Sequence, residues 1–262
     1  MPHNLGERAP MIGRTYEELI SDALRAAVVG WDFSWLTGRV DRGCLPWDYL
    51  SLARDELPQV TSLLDVDTGG GELLASLAPL PAAIATEPYP PNLPVATARL
   101  APLGVDVRAG SGSTLPVGDG EVTLVLNRHG LLDPAQTARV LAPHGVLLTQ
   151  QVGSRNDLEF NDALDVPPPV PPDARTLAST VAGLEDVGMV IDNAREDYPV
   201  ARFFDVGAVV FQLRSVPWQV PGFDAESSGE HLRSLDAHIR RTGSFDVTSH
   251  RFLVRAHKKG LS

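Results

Sequence analysis

Cysteine is nearly absent. Cys44 is the only one in 262 residues, which excludes an internal disulfide and any multi-cysteine zinc site and agrees with a reducing compartment. Long apolar runs are missing too: no window approaches the roughly 18 to 20 apolar residues of a membrane span. Basic charge is in deficit, with 22 Lys+Arg against 33 Asp+Glu and a formal net charge of -11, so the mean surface field repels nucleic acid and anionic membrane. The opening "MPHNLGERAPMIGRTYEEL" has no uninterrupted apolar segment behind a basic start, so it does not read as a secretory signal, and the expected location is the cytoplasm. No repeat recurs at a fixed period. What the chain does have is 43% hydrophobic and 21% charged residues, enough to bury a full core as one large domain or as a domain with an appended cap.

"YEELISDALRAAVV" places Leu19, Ile20, Ala23, Leu24, Ala27 and Val28 on one helical face. An aromatic-rich segment follows, carrying Trp31, Phe33, Trp35, Trp47 and Tyr49. From Thr61 onward the apolar runs are short: "SLLDV", "AAIAT", "VDVRA", "VTLVL" and "GVLLTQQV" read as strands. Between them lie helical patterns such as "ELLASLAPL", "PPNLPVATARLAPLG" and "DPAQTARVLAP", while the proline clusters "EPYPPNLP" and "DVPPPVPPD" punctuate loops. Buried strands alternating with helices imply a doubly wound α/β domain, mostly parallel, with helices on both faces. Further on, "TLASTVAGLEDVGMVIDNA" reads as a helix and a sixth strand, and "FDVTSHRFLVRAH" as one final alternating strand. Between those two strands, a long insert over 203–241 has a helical pattern at each end.

In such a sheet a ligand sits at the carboxyl ends of the strands, and the first strand-to-helix turn supplies the backbone platform. Here Asp65 ends the first strand, Gly69 to Gly71 form the turn, and Glu72 opens the next helix. Glu87 ends the second strand, 22 positions after Asp65, where a carboxylate can accept both hydroxyl protons of a ribose. A dinucleotide fingerprint would need a third glycine where Leu74 stands, which disfavours nicotinamide and flavin dinucleotides.

The four ordered segments "LLDVDTGGGE", "ATEPYPPNLPVATARL", "LPVGDGEVTLVLNRHG" and "RVLAPHGVLLTQQV" resemble the class I S-adenosylmethionine-dependent methyltransferases over about 90 residues. The resemblance implies a seven-stranded sheet whose last two strands are antiparallel, and S-adenosylmethionine as cofactor. It implies that Gly69 and Gly71 run beside the methionine part, that Asp65 orders the turn, and that Glu87 binds the ribose hydroxyls. Two positions depart from the pattern: Asp67 stands where a glycine is usual, close to the expected cofactor carboxylate, and Ser111 where an aspartate commonly meets the adenine amino group.

"LNRHG" follows the fourth strand and so emerges at the rim where a methyl group would be presented. His129 is the candidate general base, with Asn127 and Arg128 as candidates to orient the acceptor; loop residues bonded to their own backbone are the competing reading for each. Trp31 and Trp35 could wall a substrate site, or simply pack the cap. The insert, with Trp218 and Phe223, could cover the site or form a homodimer contact. The expected organisation is therefore a cap over 1–58, a cofactor-binding core over 59–200, and an insert plus final strand over 201–262. The expected activity is methylation of oxygen or nitrogen on a small-molecule acceptor. Two alternatives stand beside it: an RNA-base methyltransferase, which the acidic charge and the missing cysteine module oppose, and a non-catalytic binding or regulatory protein that kept the fold.

Overall fold

The computed structural model describes residues 13–28, 30 and 32–260. Among these, the strands are β1 (Val40–Asp41), β2 (Ser62–Val66), β3 (Ala82–Glu87), β4 (Val105–Ala109), β5 (Val122–Arg128), β6 (Leu141–Val152), β7 (Met189–Asp197), β8 (Val200–Phe203), β9 (Phe245–Thr248) and β10 (Arg251–Lys258). The α-helices are α1 (Tyr16–Arg25), α2 (Tyr49–Glu56), α3 (Glu72–Ser76), α4 (Leu93–Leu100), α5 (Pro134–Val140), α6 (Leu158–Ala163), α7 (Leu177–Asp186), α8 (Val206–Ser215) and α9 (Gly229–Thr242). None of the described helices is long and apolar enough to cross a membrane. The chain forms two compact units, one built from Pro46–Gly153, Arg175–Asp197 and the described residues from Arg251 onward. The other takes the described residues through Leu45 together with Ser154–Ala174 and Tyr198–His250.

The first of these units holds a seven-stranded sheet in the order β4-β3-β2-β5-β6-β10-β7. Strands β2 to β6 pair in parallel, and β10 runs antiparallel to both β6 and β7. The last two strands of this sheet in sequence, β7 and β10, are thus antiparallel to each other, and β10 alone is reversed against the rest. The central strands are apolar on both faces because both are covered: Leu63, Leu64, Leu124, Val125, Leu126 and Leu147 are all fully buried. Burying each such side chain contributes roughly 1.5–3 kcal/mol. Parallel pairing puts the carboxyl ends of β2, β3, β4 and β5 at one end of the sheet, and the loops that follow them make the rim considered below.

The second unit carries a three-stranded antiparallel sheet, β1-β8-β9, with α1, α6, α8 and α9. Helix α8 is apolar on every side, buried from Val206 through Leu213, so it needs cover all round. Part of that cover comes from α1, through Leu19 and Ala23. The N-terminal helix and the insert therefore share one core. Periodicity had extended α1's apolar face to Leu24, Ala27 and Val28, but the helix ends at Arg25 with Ala26 extended, and Leu24 is 47% exposed. The reading of "FDVTSHRFLVRAH" as a single strand also needs correction: β9 and β10 belong to different sheets. Between them the chain is held off a straight course, where Ser249 N–H donates to Pro199 O (2.9 Å) and His250 N–H to Asn156 Oδ1 (3.1 Å). Alternating polarity continues across a break that only hydrogen-bond partners reveal.

Candidate functional site

The turn after β2 is stitched to β3 before any ligand is considered. Thr68 N–H donates to Thr86 O at 2.8 Å, and Asp67 N–H to Thr86 Oγ1 at 3.3 Å. Gly69 has φ 64°, and a Cβ there would meet nothing within 4 Å; its backbone needs glycine while the space beside it is open. Gly71 has φ 80°, and a Cβ there would lie 2.8 Å from the Leu100 side chain, so both conformation and the close approach of α4 require glycine. Glu87, 3% exposed, closes the turn: Oε2 accepts from Gly69 N–H at 2.7 Å, and Oε1 from Tyr89 N–H at 2.8 Å.

Three carboxylates crowd this turn. Asp65 is buried, and its pKa is pushed from 3.8 up to about 7 by that burial, against the pull of the Thr68 hydroxyl and with the charge of Asp67 adding to the rise. Asp67 adopts φ 57°, a left-handed conformation that aspartate tolerates better than most side chains, which is how it can stand at a place suited to glycine. Its Oδ2 accepts from Leu131 N–H at 2.7 Å. Burial raises the Asp67 pKa first, the Leu131 bond opposes, and Glu87 raises it further. So one oxygen of the residue expected near the cofactor carboxylate is committed to the loop after β5.

That loop is fixed from within. Asn127, 1% exposed, donates from Nδ2 to Leu131 O (3.0 Å), while its Oδ1 accepts from Gly130 N–H (3.1 Å) and Gln151 Nε2 (2.9 Å). With both Oδ1 lone pairs used, Asn127 shapes the 128–131 turn. A Cβ on Gly130 would lie 2.7 Å from Asp67 Cβ, and one on Gly112 only 1.7 Å from Leu131 O. The loops after β2, β4 and β5 are therefore in contact with one another. Ser111 joins this cluster with its hydroxyl 2.9 Å from that of Ser113, and Arg128 stands exposed at the end of β5.

His129 also has a left-handed backbone, φ 66°, held by its N–H to Gln150 O at 2.8 Å. Its ring Nε2 lies 2.9 Å from Gln150 Nε2, and Gln150 Oε1 accepts from Trp47 Nε1 at 2.8 Å. The residue is exposed as a whole, yet the protein around its ring lowers the pKa through burial, with Arg251 and Arg128 adding repulsion. It is neutral at physiological pH. The role of general base expected for it needs a free ring lone pair, and Nε2 is already engaged.

Asp65, Asp67, Gly69, Gly71, Glu87, Ser111, Asn127, Arg128 and His129 thus meet at one end of the seven-stranded sheet. Trp35 belongs to the other unit, where it stacks on Phe211 at 4.8 Å under the Arg39 guanidinium within that unit's core. Trp31 lies outside the described residues. Phe223 packs against that same core, and Trp218 is 54% exposed. Sequence reading missed Gln150 and Gln151, although consecutive polar residues in an otherwise apolar buried strand were a visible signal. Trp47 and Tyr49 had been placed with the cap. They belong to the sheet's unit, where Tyr49 OH donates to Leu148 O at 3.2 Å.

No family model and no curated protein matches this chain. Solved structures do. A Bacillus halodurans protein assigned to the methyltransferases is similar at TM-score 0.57 and 19% identity, over 81% of this chain and 99% of that one. Another, assigned as a sarcosine dimethylglycine methyltransferase of Galdieria sulphuraria, aligns at TM-score 0.51 and 17% identity, over 80% and 84%. The cyclase SpnF aligns at TM-score 0.53 and 13% identity, over 95% of this chain and 98% of its own. At these identities the likeness is one of fold: the chain has the fold of the class I S-adenosylmethionine-dependent methyltransferases.

Proposed function

We propose that this protein is an S-adenosylmethionine-dependent methyltransferase that methylates oxygen or nitrogen on a small-molecule acceptor in the cytoplasm. The observation that carries the reading is the 2.7 Å bond from Gly69 N–H to the buried Glu87, which joins the glycine turn and the acid at the end of β3 into one junction. The residues fit the cofactor. Gly69 leaves open space where a side chain would stand, and Glu87 keeps lone pairs beyond its backbone bonds for a ribose diol. The carboxylate of Glu87 adds a negative charge suited to a ligand that carries an ammonium and a sulfonium.

Gly69 and Gly71 would flank the methionine part and Glu87 would hold the ribose. When bound, the cofactor supplies an electrophilic methyl group. The chain's own contribution is positioning, which by itself accounts for large rate effects in group transfer and requires no nucleophile on the protein. The acidic net charge argues against an RNA acceptor. A protein that holds the cofactor without transferring its methyl group is the second reading, and the engaged lone pair of His129 is the observation in its favour. Incubating the purified protein with methyl-labelled cofactor and either cell metabolites or total RNA separates these readings. Label in small molecules supports the proposal, label in RNA replaces the acceptor class, and label in neither favours the binding protein.

A further inference from the structure

We propose that Trp47 and Gln150 are positioning residues that hold His129 as its neutral Nδ1–H tautomer, so that the rim presents a hydrogen-bond donor to an oxygen of the acceptor. The argument begins at Trp47, whose indole N–H can only donate. It lies 2.8 Å from Gln150 Oε1, which fixes which end of that amide is oxygen. The other end, an NH2 group that can only donate, faces His129 Nε2 at 2.9 Å. Nε2 must then carry the lone pair, and the single proton of a neutral imidazole sits on Nδ1.

Water cannot easily replace the Trp47–Gln150 link, because Gln150 is 2% and Trp47 9% exposed. The ring's placement is equally constrained, since the His129 backbone is bonded to the same Gln150. Protonating Nε2 would set N–H against NH2, and the charges acting on the ring, Arg128 and Arg251, are both positive. Nδ1 has no partner among the described residues, on a side chain open to solvent. A neutral donor in a positive field suits a carbonyl or carboxylate oxygen. The acceptor role rests on the methyl-transfer reading; the tautomer does not.

Nitrogen-15 NMR of the histidine rings tests this directly. In the wild type, His129 should show a protonated Nδ1 and an unprotonated Nε2, unchanged from pH 8 to pH 5, and sodium acetate should shift the Nδ1–H resonance. Trp47→Phe frees the Gln150 amide to rotate, so the proton should move to Nε2 and the acetate shift disappear. Gln150→Glu places an acceptor against Nε2, so the ring should take up a second proton and titrate at higher pH than in the wild type, which keeps the test open if Trp47→Phe does not fold. A wild-type ring protonated on Nε2, an ordinary histidine titration, a missing acetate shift, or variants that leave the tautomer unchanged would overturn the inference. Those outcomes with cofactor binding intact leave the methyl-transfer reading standing. An intact tautomer without cofactor binding sinks only that reading.

Discussion

Replacing Asp65 by Asn should flatten the protein's stability against pH between about pH 4 and pH 7. Asp65 sits 5% exposed with its pKa raised from 3.8 to about 7, chiefly by burial. In the unfolded chain the carboxyl ionises near its ordinary value, so between those two pH values the folded state binds more protons than the unfolded one, and stability falls as pH rises. The advantage is fully present below about pH 4 and is gone above about pH 7. At 1.36 kcal/mol per unit the whole effect is about 4 kcal/mol, of which about 2 kcal/mol falls between pH 5 and pH 7 and about 3 kcal/mol between pH 5 and pH 8. Asparagine has no charge to lose and nearly the same shape. Urea unfolding at half-unit steps from pH 5 to pH 8 would measure the difference. The variant should gain on the wild type by about 3 kcal/mol across that range, in the transition of the unit that holds the seven-stranded sheet. Parallel curves, or a wild type that gains on the variant as pH rises, would refute a buried, neutral Asp65.

The two glycines of the turn should respond differently to alanine. At Gly69 only the left-handed backbone opposes it, about 1–2 kcal/mol; Gly71→Ala adds a clash with Leu100 and should lose clearly more stability in the same urea assay. Asp67→Asn keeps both a side chain that tolerates φ 57° and an acceptor for Leu131 N–H, so it isolates the charge. It should bind S-adenosylhomocysteine more tightly by calorimetry, and a clear loss of affinity at unchanged stability would make the Asp67 carboxylate a ligand.

The sheet was legible in sequence because its strands are short, apolar on both faces and separated by glycine and proline. Even the order of its motifs survived in the chain. The second unit was less legible, since its core is assembled from α1, the 154–174 segment and the insert, and no local pattern announces that α8 needs cover from residues almost two hundred positions away. The glycine turn and Glu87 were readable because backbone approach and ribose recognition restrict residue type at fixed spacing. What the sequence hid was direction. Asp67 reads as a charge beside the turn, and only the Leu131 bond shows that it ties two loops together. His129 reads as a base until Gln150 is seen against its lone pair, and Gln150 is oriented by a tryptophan 103 positions earlier.

Calorimetric titration of S-adenosylhomocysteine into the wild type and Glu87→Gln, with the stability of each measured alongside, tests the central claim most directly. Glu87 is proposed to accept the ribose hydroxyls, and charge-assisted bonds of this kind contribute roughly 1.5–3 kcal/mol. The wild type should therefore show saturable heat at a single site, and a folded Glu87→Gln should bind about tenfold or more weakly. No heat from the wild type, or equal affinity in the two proteins, would contradict the assignment of this turn as a cofactor site.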